Sequence, residues 1–585
     1  MSWNTSSRHP LRSEILAPGV NESQIAGRVI GTEDATPLEF WVAIADGQFL
    51  QLDDVVALER ELPNGETVHI FGIVSQVRAR HEGARFDSDV FLIESGVLPA
   101  QVSQAARIVA TRFEPEVFVP PLPGQEVRRA RGADREQALF FDGMEETKRL
   151  AAGLSRNEEP IYLNLEFLDG TRGAHVNISG ISGVATKTTY ASFLLYSLFH
   201  SKVLGADALN TKALIYNVKG EDLLFLDHRN SRLQESDRRK YEKLGLVPDA
   251  FRSVELWAPP RRGDRNASPD VATRPAGVRS YFWSLSEFCR EGLLPFLFTD
   301  AEDDQKQYTL VVANVAARLK DAEPLGEGGV RVEGREVRTF LELARLIAEH
   351  VDDESTRRLW AGPAIGQGTV NAFVRRLHGA VGHIEHLVRG DIPRAEAHKI
   401  RREAQVTVVD LHNLSDRAKR FVVGVTLRRA FEEKERSGQP RPLLFVVLDE
   451  LNKYAPRDGG SPIKETLLDV AERGRSLGII LIGAEQTASE VERRIIANSA
   501  IRVVGRLDTA EASRDEYGFL PAAHRQRATI VKPGTMILSQ PELPIPLVTQ
   551  FPFPSWATRR SEVGQPTETD PSTSEASADP FEGLT

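Results

Sequence analysis

The chain has 585 residues, of which 41% are hydrophobic and 27% are charged, and its net charge of −10 does not by itself exclude a nucleic-acid partner. This composition is typical of a soluble globular protein with two or more domains, and the single cysteine, Cys289, excludes an intramolecular disulfide and argues against a cysteine-based metal site. No apolar segment is long enough to span a bilayer and the N-terminus has no apolar signal core, so we expect a cytoplasmic protein with no membrane partner.

Residues 25–98 carry short apolar segments of strand length separated by turn residues. The segments begin at Gly27, Phe40, Phe49, Thr67 and Val90, and Asp46–Gly47 and Asn64–Gly65 are typical hairpin turns. So many short strands in one segment predict a small β-barrel, which we assign to residues 20–125 after an N-terminal extension of residues 1–19. The proline-rich residues 120–124 at its end are typical of a linker.

Beyond Asn177 the pattern changes to strands that alternate with helices. This alternation predicts an α/β core with a largely parallel sheet, divided into residues 126–282 and 403–550. Between these parts, residues 283–402 show helical spacing and no good strand, so we predict an inserted helical subdomain. The strands are predicted at 175–179, 212–217, 253–257, 406–410, 443–449, 478–484, 500–505, 535–540 and 545–550, and the principal helices at 187–202, 414–436 and 462–475.

The segment 175–189 runs from a strand through a glycine turn into a helix, as a phosphate-binding loop requires. Lys187 would reach the β- and γ-phosphates, and Thr188 would bind Mg²⁺. Gly180 lies one residue farther from the lysine than in G-x-x-x-x-G-K-[ST], and Thr186 takes the place of the final glycine, so altered nucleotide affinity and a plain strand–turn–helix stay open. The predicted nucleotide-binding residues are Gly180, Ser182, Gly183, Val184, Ala185, Thr186, Lys187, Thr188 and Thr189.

Six apolar residues, 443–448, precede two adjacent carboxylates, Asp449 and Glu450. The apolar run predicts a strand buried on both faces, and its C-terminal edge is where open α/β sheets bind ligands. We interpret it as a Walker B strand, in which Asp449 holds Mg²⁺ and Glu450 orients the attacking water. An ordinary strand followed by a solvated acidic turn is the alternative.

Taken together, these residues resemble the HerA branch of the HerA/FtsK translocating ATPases, over about residues 20–560. The second-strand motif of that family begins with aspartate, where this chain has Asn217. The pieces that carry the resemblance are Gly27–Val29 at the start of the barrel, Ile215–Glu221 after the second strand, Gly474–Gln486 leading to a sensor glutamine, Asn498–Leu507 as the closing strand, and Phe551–Trp556 within a C-terminal brace of residues 551–560.

The resemblance implies a RecA/FtsK-like P-loop ATPase that uses ATP and Mg²⁺. It also implies a homohexameric ring with double-stranded DNA in its channel, and a NurA-like nuclease or another effector as partner in DNA-end resection or antiphage defence. Catalysis would involve Glu450, with Gln486 as γ-phosphate sensor. Ring ATPases commonly complete the site with an arginine from the neighbouring subunit, and Arg475, then Arg473, are the candidates, with Arg506 a weaker third.

Three basic residues of the loop after the Walker B strand, Lys453, Arg457 and Lys464, could contact DNA phosphates, although a solvated surface loop is an equal alternative. The sequence Gly382–His386 does not have metal-site spacing. Residues 561–585 contain six acidic residues and no basic one, and their composition predicts a disordered tail. A nucleotide-dependent scaffold that activates an effector, and a non-translocating NTPase switch, are the competing functions.

Overall fold

The computed structural model describes residues 25–82, 86–98, 101–181, 187–274, 276–298 and 306–564. The predicted extension 1–19 and most of the predicted tail 561–585 lie outside them. The chain divides into two compact units, Met1–Gly143 and Met144–Thr585. Among the described residues, none of the helices combines the length and the apolarity that a membrane span requires.

The first unit is a closed β-barrel in the order β1-β2-β5-β4-β3-β6, which confirms the predicted barrel. Alternate residues such as Phe40 and Val42, or Val68 and Ile70, point inward and fill its core. The sixth strand closes the barrel on β1 and β3 and lies beyond residue 125, where we placed the boundary. Its elements are β1 Ile25–Val29, β2 Glu39–Ile44, β3 Val55–Glu61, β4 Thr67–Glu82, α1 Asp89–Glu94, β5 Gln101–Glu114, β6 Glu126–Arg129 and α2 Ala133–Ala138.

Two of the predicted barrel strands are wrong. Val90 lies in helix α1, in which no residue is buried, and Asp89 in its first turn favours the helix. Phe49 is 61% exposed and precedes a turn rather than a strand. The Asn64–Gly65 turn does connect two paired strands, β3 and β4, as predicted.

The second unit begins with the strands and helices that surround the predicted phosphate loop. Two antiparallel strands, β7 and β8, and the short β12 were not predicted, because each is short or lacks a clear apolar alternation. The elements are β7 Arg149–Leu154, β8 Pro160–Asn164, β9 Val176–Ser179, α3 Lys187–His200, β10 Lys212–Asn217, α4 Glu235–Lys243, β11 Val254–Ala258 and β12 Val278–Ser280.

The insertion is mainly helical, as predicted, but it also contains short strands of two or three residues. Such strands are too short to show an alternating pattern in the sequence. Apolar residues of its helices, such as Phe373, share one buried cluster with Phe421 and Leu481 of the core. Its elements are β13 Trp283–Ser284, α5 Leu285–Arg290, α6 Lys306–Leu319, β14 Glu323–Pro324, β15 Val330–Val332, β16 Arg335–Val337, α7 Phe340–Asp352, α8 Glu354–Trp360, α9 Gln367–Ile384 and β17 Val388–Arg389.

The remaining elements complete a sheet in which twelve of the described strands follow the order β12-β11-β18-β10-β19-β20-β9-β21-β22-β23-β7-β8. The strands from β12 to β21 are parallel, which confirms the predicted α/β class. The elements are β18 Val406–Asp410, α10 Asp416–Ser437, β19 Leu444–Asp449, α11 Leu451–Tyr454, α12 Pro462–Leu477, β20 Ile479–Glu485, α13 Arg493–Ala497, β21 Ile501–Val504, α14 Thr509–Ala512, α15 Ala522–Ala528, β22 Thr535–Ser539 and β23 Leu547–Gln550.

Candidate functional site

The described ends of the predicted phosphate loop lie where a phosphate-binding loop requires them. Strand β9 ends at Ser179, and helix α3 begins at Lys187, which is 4% exposed and donates a hydrogen bond to the Gly180 carbonyl oxygen at 2.5 Å. Thr188 and Thr189 follow in the first turn of α3, where free amides and the helix dipole favour an anion. Burial lowers the pKa of Lys187 overall, although nearby carboxylates, Asp449 first, oppose this shift. The predicted loop residues 182–186 lie outside the described residues.

The carboxylate pair at the end of β19 faces this helix. The Thr188 hydroxyl donates to Asp449 Oδ2 at 2.9 Å, although the two residues are 261 positions apart in the chain. Glu450 lies in the left-handed region with φ 59°, which costs a non-glycine residue about 1–3 kcal/mol. Its amide donates to Asp449 Oδ1 at 2.8 Å, so the strained turn holds both carboxylates at the sheet edge.

Gln486 follows β20, which lies between β9 and β19 in the sheet. This strand order places the end of β20 between the phosphate loop and the carboxylate pair. The Gln486 amide donates to Glu450 Oε1 at 3.1 Å. The structure therefore brings together Lys187, Thr188, Asp449, Glu450 and Gln486, which the sequence placed in three separate motifs.

Lys219 belongs to the same cluster, although the sequence reasoning assigned it no role. Its Nζ lies 2.6 Å from Glu450 Oε1 and 3.2 Å from Asp449 Oδ2. Burial alone would raise the pKa of Glu450, but the hydrogen bond and charge of Lys219 lower it overall. Burial would likewise lower the pKa of Lys219, and the two carboxylates raise it. The available signal was its position two residues after β10, the strand beside β19.

Asn217, which replaces the family's aspartate, shapes the turn that carries Lys219. Its Nδ2 donates to the Gly220 carbonyl oxygen and to Asp410 Oδ1, both at 2.7 Å. Burial raises the pKa of Asp410, even though its hydrogen bond with His412 opposes the shift. A second carboxylate at position 217 would face Asp410, whereas an amide can donate to it.

Glu485, the last residue of β20, was not predicted as a site residue. It is fully buried, and its Oε1 accepts a hydrogen bond from the Ser179 hydroxyl at 2.7 Å. Burial raises the pKa of Glu485 to about 8. Its place between the start of the phosphate loop and Gln486 makes it part of the wall behind the site.

The candidate trans arginines lie at two different edges of the sheet. Helix α12 returns from the end of β19 to the start of β20, so Arg473 and Arg475, near its C-terminus, lie at the edge opposite the nucleotide site. Arg475 donates to the Gly170 and Thr171 carbonyl oxygens at 3.1 and 2.8 Å, and Arg473 pairs with Glu435. Any role of either arginine in hydrolysis must therefore be exerted on another subunit.

Arg506 lies instead beside the phosphate loop of its own chain. Its carbonyl oxygen accepts a hydrogen bond from the Ile181 amide at 2.7 Å, because β21 and β9 are parallel neighbours. Its Nε donates to the Thr529 carbonyl oxygen at 3.2 Å. Of the three arginines, Arg506 is the one whose backbone borders the site in cis.

The three candidate DNA contacts differ in exposure. Lys453 is 53% exposed and lies 3.8 Å from Glu450, and Arg457 pairs with Glu516 at 3.4 Å. Lys464 is buried. Its ammonium donates to the Arg457 and Gly459 carbonyl oxygens and pairs with Glu492 at 2.9 Å. The structure argues against Lys464 as a DNA contact, since its charge is used to hold the loop in place.

The donor chemistry of the site fits Mg²⁺. Thr188 and Asp449 supply a hydroxyl and a carboxylate oxygen that converge at the start of α3, and Mg²⁺ prefers oxygen ligands, together with waters and substrate phosphates. A cavity of about 240 Å³ opens beside them. It is lined by Ile181, Lys187, Thr188, Thr189, Ser192, Tyr216, Asn217, Val218, Lys219, Asp222, Leu223, Asp449, Trp556, Thr558 and Arg559.

Comparisons with known proteins include structural likenesses of low sequence identity. No protein-family model and no curated protein sequence matches the chain. The structure of VirB4 of Thermoanaerobacter pseudethanolicus is 16% identical, with 70% of this chain and 97% of that chain covered and a TM-score of 0.43. Plasmid coupling protein TrwB in complex with ADP and Mg²⁺ is 10% identical, with 73% and 95% covered and a TM-score of 0.44. The genome packaging NTPase B204 from Sulfolobus turreted icosahedral virus 2, in complex with ATP-gammaS, is 9% identical, with 26% and 70% covered and a TM-score of 0.20.

Proposed function

We propose that this chain is a Mg²⁺-dependent ATPase whose hydrolysis site lies at the C-terminal edge of the sheet. The proposal rests on one observation: the 2.9 Å hydrogen bond from Thr188 to Asp449 joins the start of helix α3 to the end of strand β19. This contact places Lys187 and Thr188 beside Asp449 and Glu450. A buried lysine at a helix N-terminus supplies charge to phosphates, and two carboxylates at a neighbouring strand end supply a metal ligand and a base.

Each residue has a separate task in this reaction. Lys187 holds the β- and γ-phosphates, and Glu450, whose lowered pKa keeps it ionised, orients a water for attack on the γ-phosphorus. Gln486 and Lys219, both in contact with Glu450, fix its carboxylate in position. When bound to Thr188 and Asp449, Mg²⁺ would neutralise charge on the phosphates.

We further propose that the chain works as a homohexameric ring that translocates double-stranded DNA, with a NurA-type nuclease as partner in DNA-end resection. The sequence motifs that resemble the HerA branch support this finer assignment. Lys453, which is exposed beside Glu450, and Arg457, whose side chain is 39% exposed, are the remaining candidates for contacts with DNA phosphates. Such contacts would give a grip that is independent of base sequence and weakened by salt.

The test is the ATPase rate of the purified chain with and without linear duplex DNA, together with its native mass. A mass of six chains and a rate stimulated by DNA support the translocase. Absence of ATP hydrolysis would contradict the ATPase assignment itself. Hydrolysis in a ring that DNA does not stimulate would contradict translocation and support the competing function, a nucleotide-dependent scaffold for an effector.

A further inference from the structure

The cavity beside the phosphate site extends past the residues that would hold phosphates. Lys187, Thr188 and Asp449 form one part of its wall. Asp222, Trp556 and Arg559, from the loop after β10 and from the segment 555–559, form another part. If the first group holds the phosphates, the second group offers a wall for the rest of a nucleotide.

The segment 555–559 is held firmly against the core. The Asn230 amide donates to the Ser555 carbonyl oxygen at 2.9 Å, and the Ala557 amide donates to the His228 carbonyl oxygen at 2.7 Å. The Trp556 ring stacks on Tyr196 with 4.8 Å between ring centroids. This wall of the cavity is therefore preformed, which lowers the entropic cost of binding a ligand.

Trp556 leaves a polar group without a partner. Its side chain is fully buried and lines the cavity, and its Nε1 has no hydrogen-bond partner among the described residues. Nε1 is too deeply buried for a ligand in the cavity to reach it, so Trp556 contributes the apolar surface of its ring to this wall.

Arg559 and Asp222 form a two-bonded ion pair at the same wall. Nε and Nη2 of Arg559 lie 2.9 and 3.0 Å from the two Asp222 carboxylate oxygens. This geometry fixes the plane of the guanidinium in a side chain that is 60% exposed, and a guanidinium face stacks well on an aromatic ring. Asp222 also keeps acceptor capacity for hydroxyl groups.

We propose that Asp222, Trp556 and Arg559 form the nucleoside-binding part of the site. The ring of Trp556 gives the nucleoside an apolar surface to pack against, and the guanidinium of Arg559, held by Asp222, lies against the base. The assignment rests on the proposed ATPase function, and it adds that the C-terminal segment, and not only the sheet edge, decides which triphosphates bind.

The experiment compares two ligands that share the triphosphate and differ in the nucleoside. Calorimetric titrations with Mg²⁺ present use a non-hydrolysable ATP analogue and inorganic tripolyphosphate, on the wild type and on Trp556→Phe and Arg559→Ala. Arg560→Ala is the matched control, because Arg560 is the next residue, does not line the cavity and donates to the Thr273 carbonyl oxygen at 3.1 Å. Lys187→Ala tests the phosphate end independently.

Arg559→Ala should weaken binding of the ATP analogue about tenfold. Trp556→Phe should weaken it in the same direction, because the smaller ring leaves a gap in the wall. Both should change tripolyphosphate binding by less than about twofold. Arg560→Ala should change neither. If Arg559→Ala leaves the ratio of the two affinities at the wild-type value, the nucleoside assignment is overturned. Arg559 is exposed, so this result stands even if Trp556→Phe fails to fold.

Lys187→Ala should weaken both ligands. If it weakens neither while Arg559→Ala changes the ratio, the phosphate assignment fails and the nucleoside assignment stands. The failure of one proposal is therefore distinguishable from the failure of the other.

Discussion

Glu450 sits at the centre of the site's contacts, in a backbone conformation that few residues other than glycine adopt. Lys219, Gln486 and Lys453 all lie within 3.8 Å of its carboxylate. A surface carboxylate would not need three partners and a strained turn, and strain of this kind persists where the surrounding structure imposes it. At the scale of single residues, the fold holds the Glu450 carboxylate, which the sequence singled out as the base, in one position.

Glu450→Gln should abolish turnover while preserving ATP binding. The amide keeps the size of the side chain and its contact with Lys219 but cannot act as a base, so the rate should fall roughly 10²-fold or more. Steady-state ATPase assays and nucleotide titrations measure the two effects. Glu465→Gln, on the exposed face of α12, is the control. Wild-type turnover in Glu450→Gln would refute its role as base.

Glu485→Gln should raise stability, and the gain should increase with pH. The pKa of Glu485 is about 8 in the folded state, against about 4.3 in an unfolded chain. At pH values between these two pKa values, the folded state binds more protons than the unfolded state, so the stability of the wild type falls as pH rises. This loss of stability is complete above pH 8. Thermal melts from pH 5 to 8 should show the difference in Tm widening, and parallel pH profiles for the two proteins would contradict this account.

At the scale of secondary-structure elements, the pairing of neighbouring parallel strands determines which side chains come into contact. Strands β10 and β18 pair in register from Ala213 with Val406 to Asn217 with Asp410. This pairing makes Asn217 the donor that the buried Asp410 needs. The same reasoning explains why β20, inserted between β9 and β19, delivers Gln486 to Glu450.

Asn217→Asp, which restores the aspartate of the family motif, should therefore destabilise this chain. Two buried carboxylates would face each other where one hydrogen bond existed, at a cost of about 2–3 kcal/mol near neutral pH. Because one of the pair protonates on acidification, the loss of Tm should be smaller at pH 5 than at pH 7. Asn210→Asp, at an exposed position, is the control. An unchanged Tm at pH 7 would mean that position 217 tolerates the charge.

Assembly is the question at the scale of the whole molecule. Within one chain, Arg475 binds Gly170 and Thr171 at the sheet edge opposite the nucleotide site. If the chain forms a ring, each site takes Glu450 from one subunit, and the arginine can come from the next. An arginine that acts in this way has no effect on its own subunit's site.

Arg475→Ala rings should accordingly hydrolyse almost no ATP, since loss of a trans arginine removes transition-state charge stabilisation. Co-expression with Glu450→Gln subunits should restore part of the activity, because some interfaces then combine an intact Glu450 with an intact Arg475. Glu472→Ala, at an exposed position of the same helix, is the control. Co-assembled rings as inactive as either parent would show that Arg475 is structural, and Arg473 or Arg506 would be tested next.

Local patterns in the sequence were enough to predict those features of the molecule that depend on residues close together in the chain. Periodicity and turn chemistry act over a few residues, so each local pattern predicts the element in which it lies. Examples are the apolar run before Asp449, the glycine turn before Lys187 and the alternating strands. The α/β class, the barrel and the separate motifs of the site were predicted on this basis. The strand predicted at Val90 is wrong, because its apolar residues are exposed in the folded chain and the local sequence pattern does not reveal that exposure.

Tertiary structure alone decided which of these motifs meet and which charges are already used. Strand order in the sheet brought Lys219 to Glu450 and placed Glu485 in a fully buried wall, and no spacing along the chain encodes that order. The sequence placed Lys464 in a loop that could contact DNA, whereas in the folded chain Glu492 and two carbonyl oxygens surround its ammonium group. Sequence therefore determined the chemical groups, while pairing between distant segments determined the environment on which their charge, exposure and partners depend.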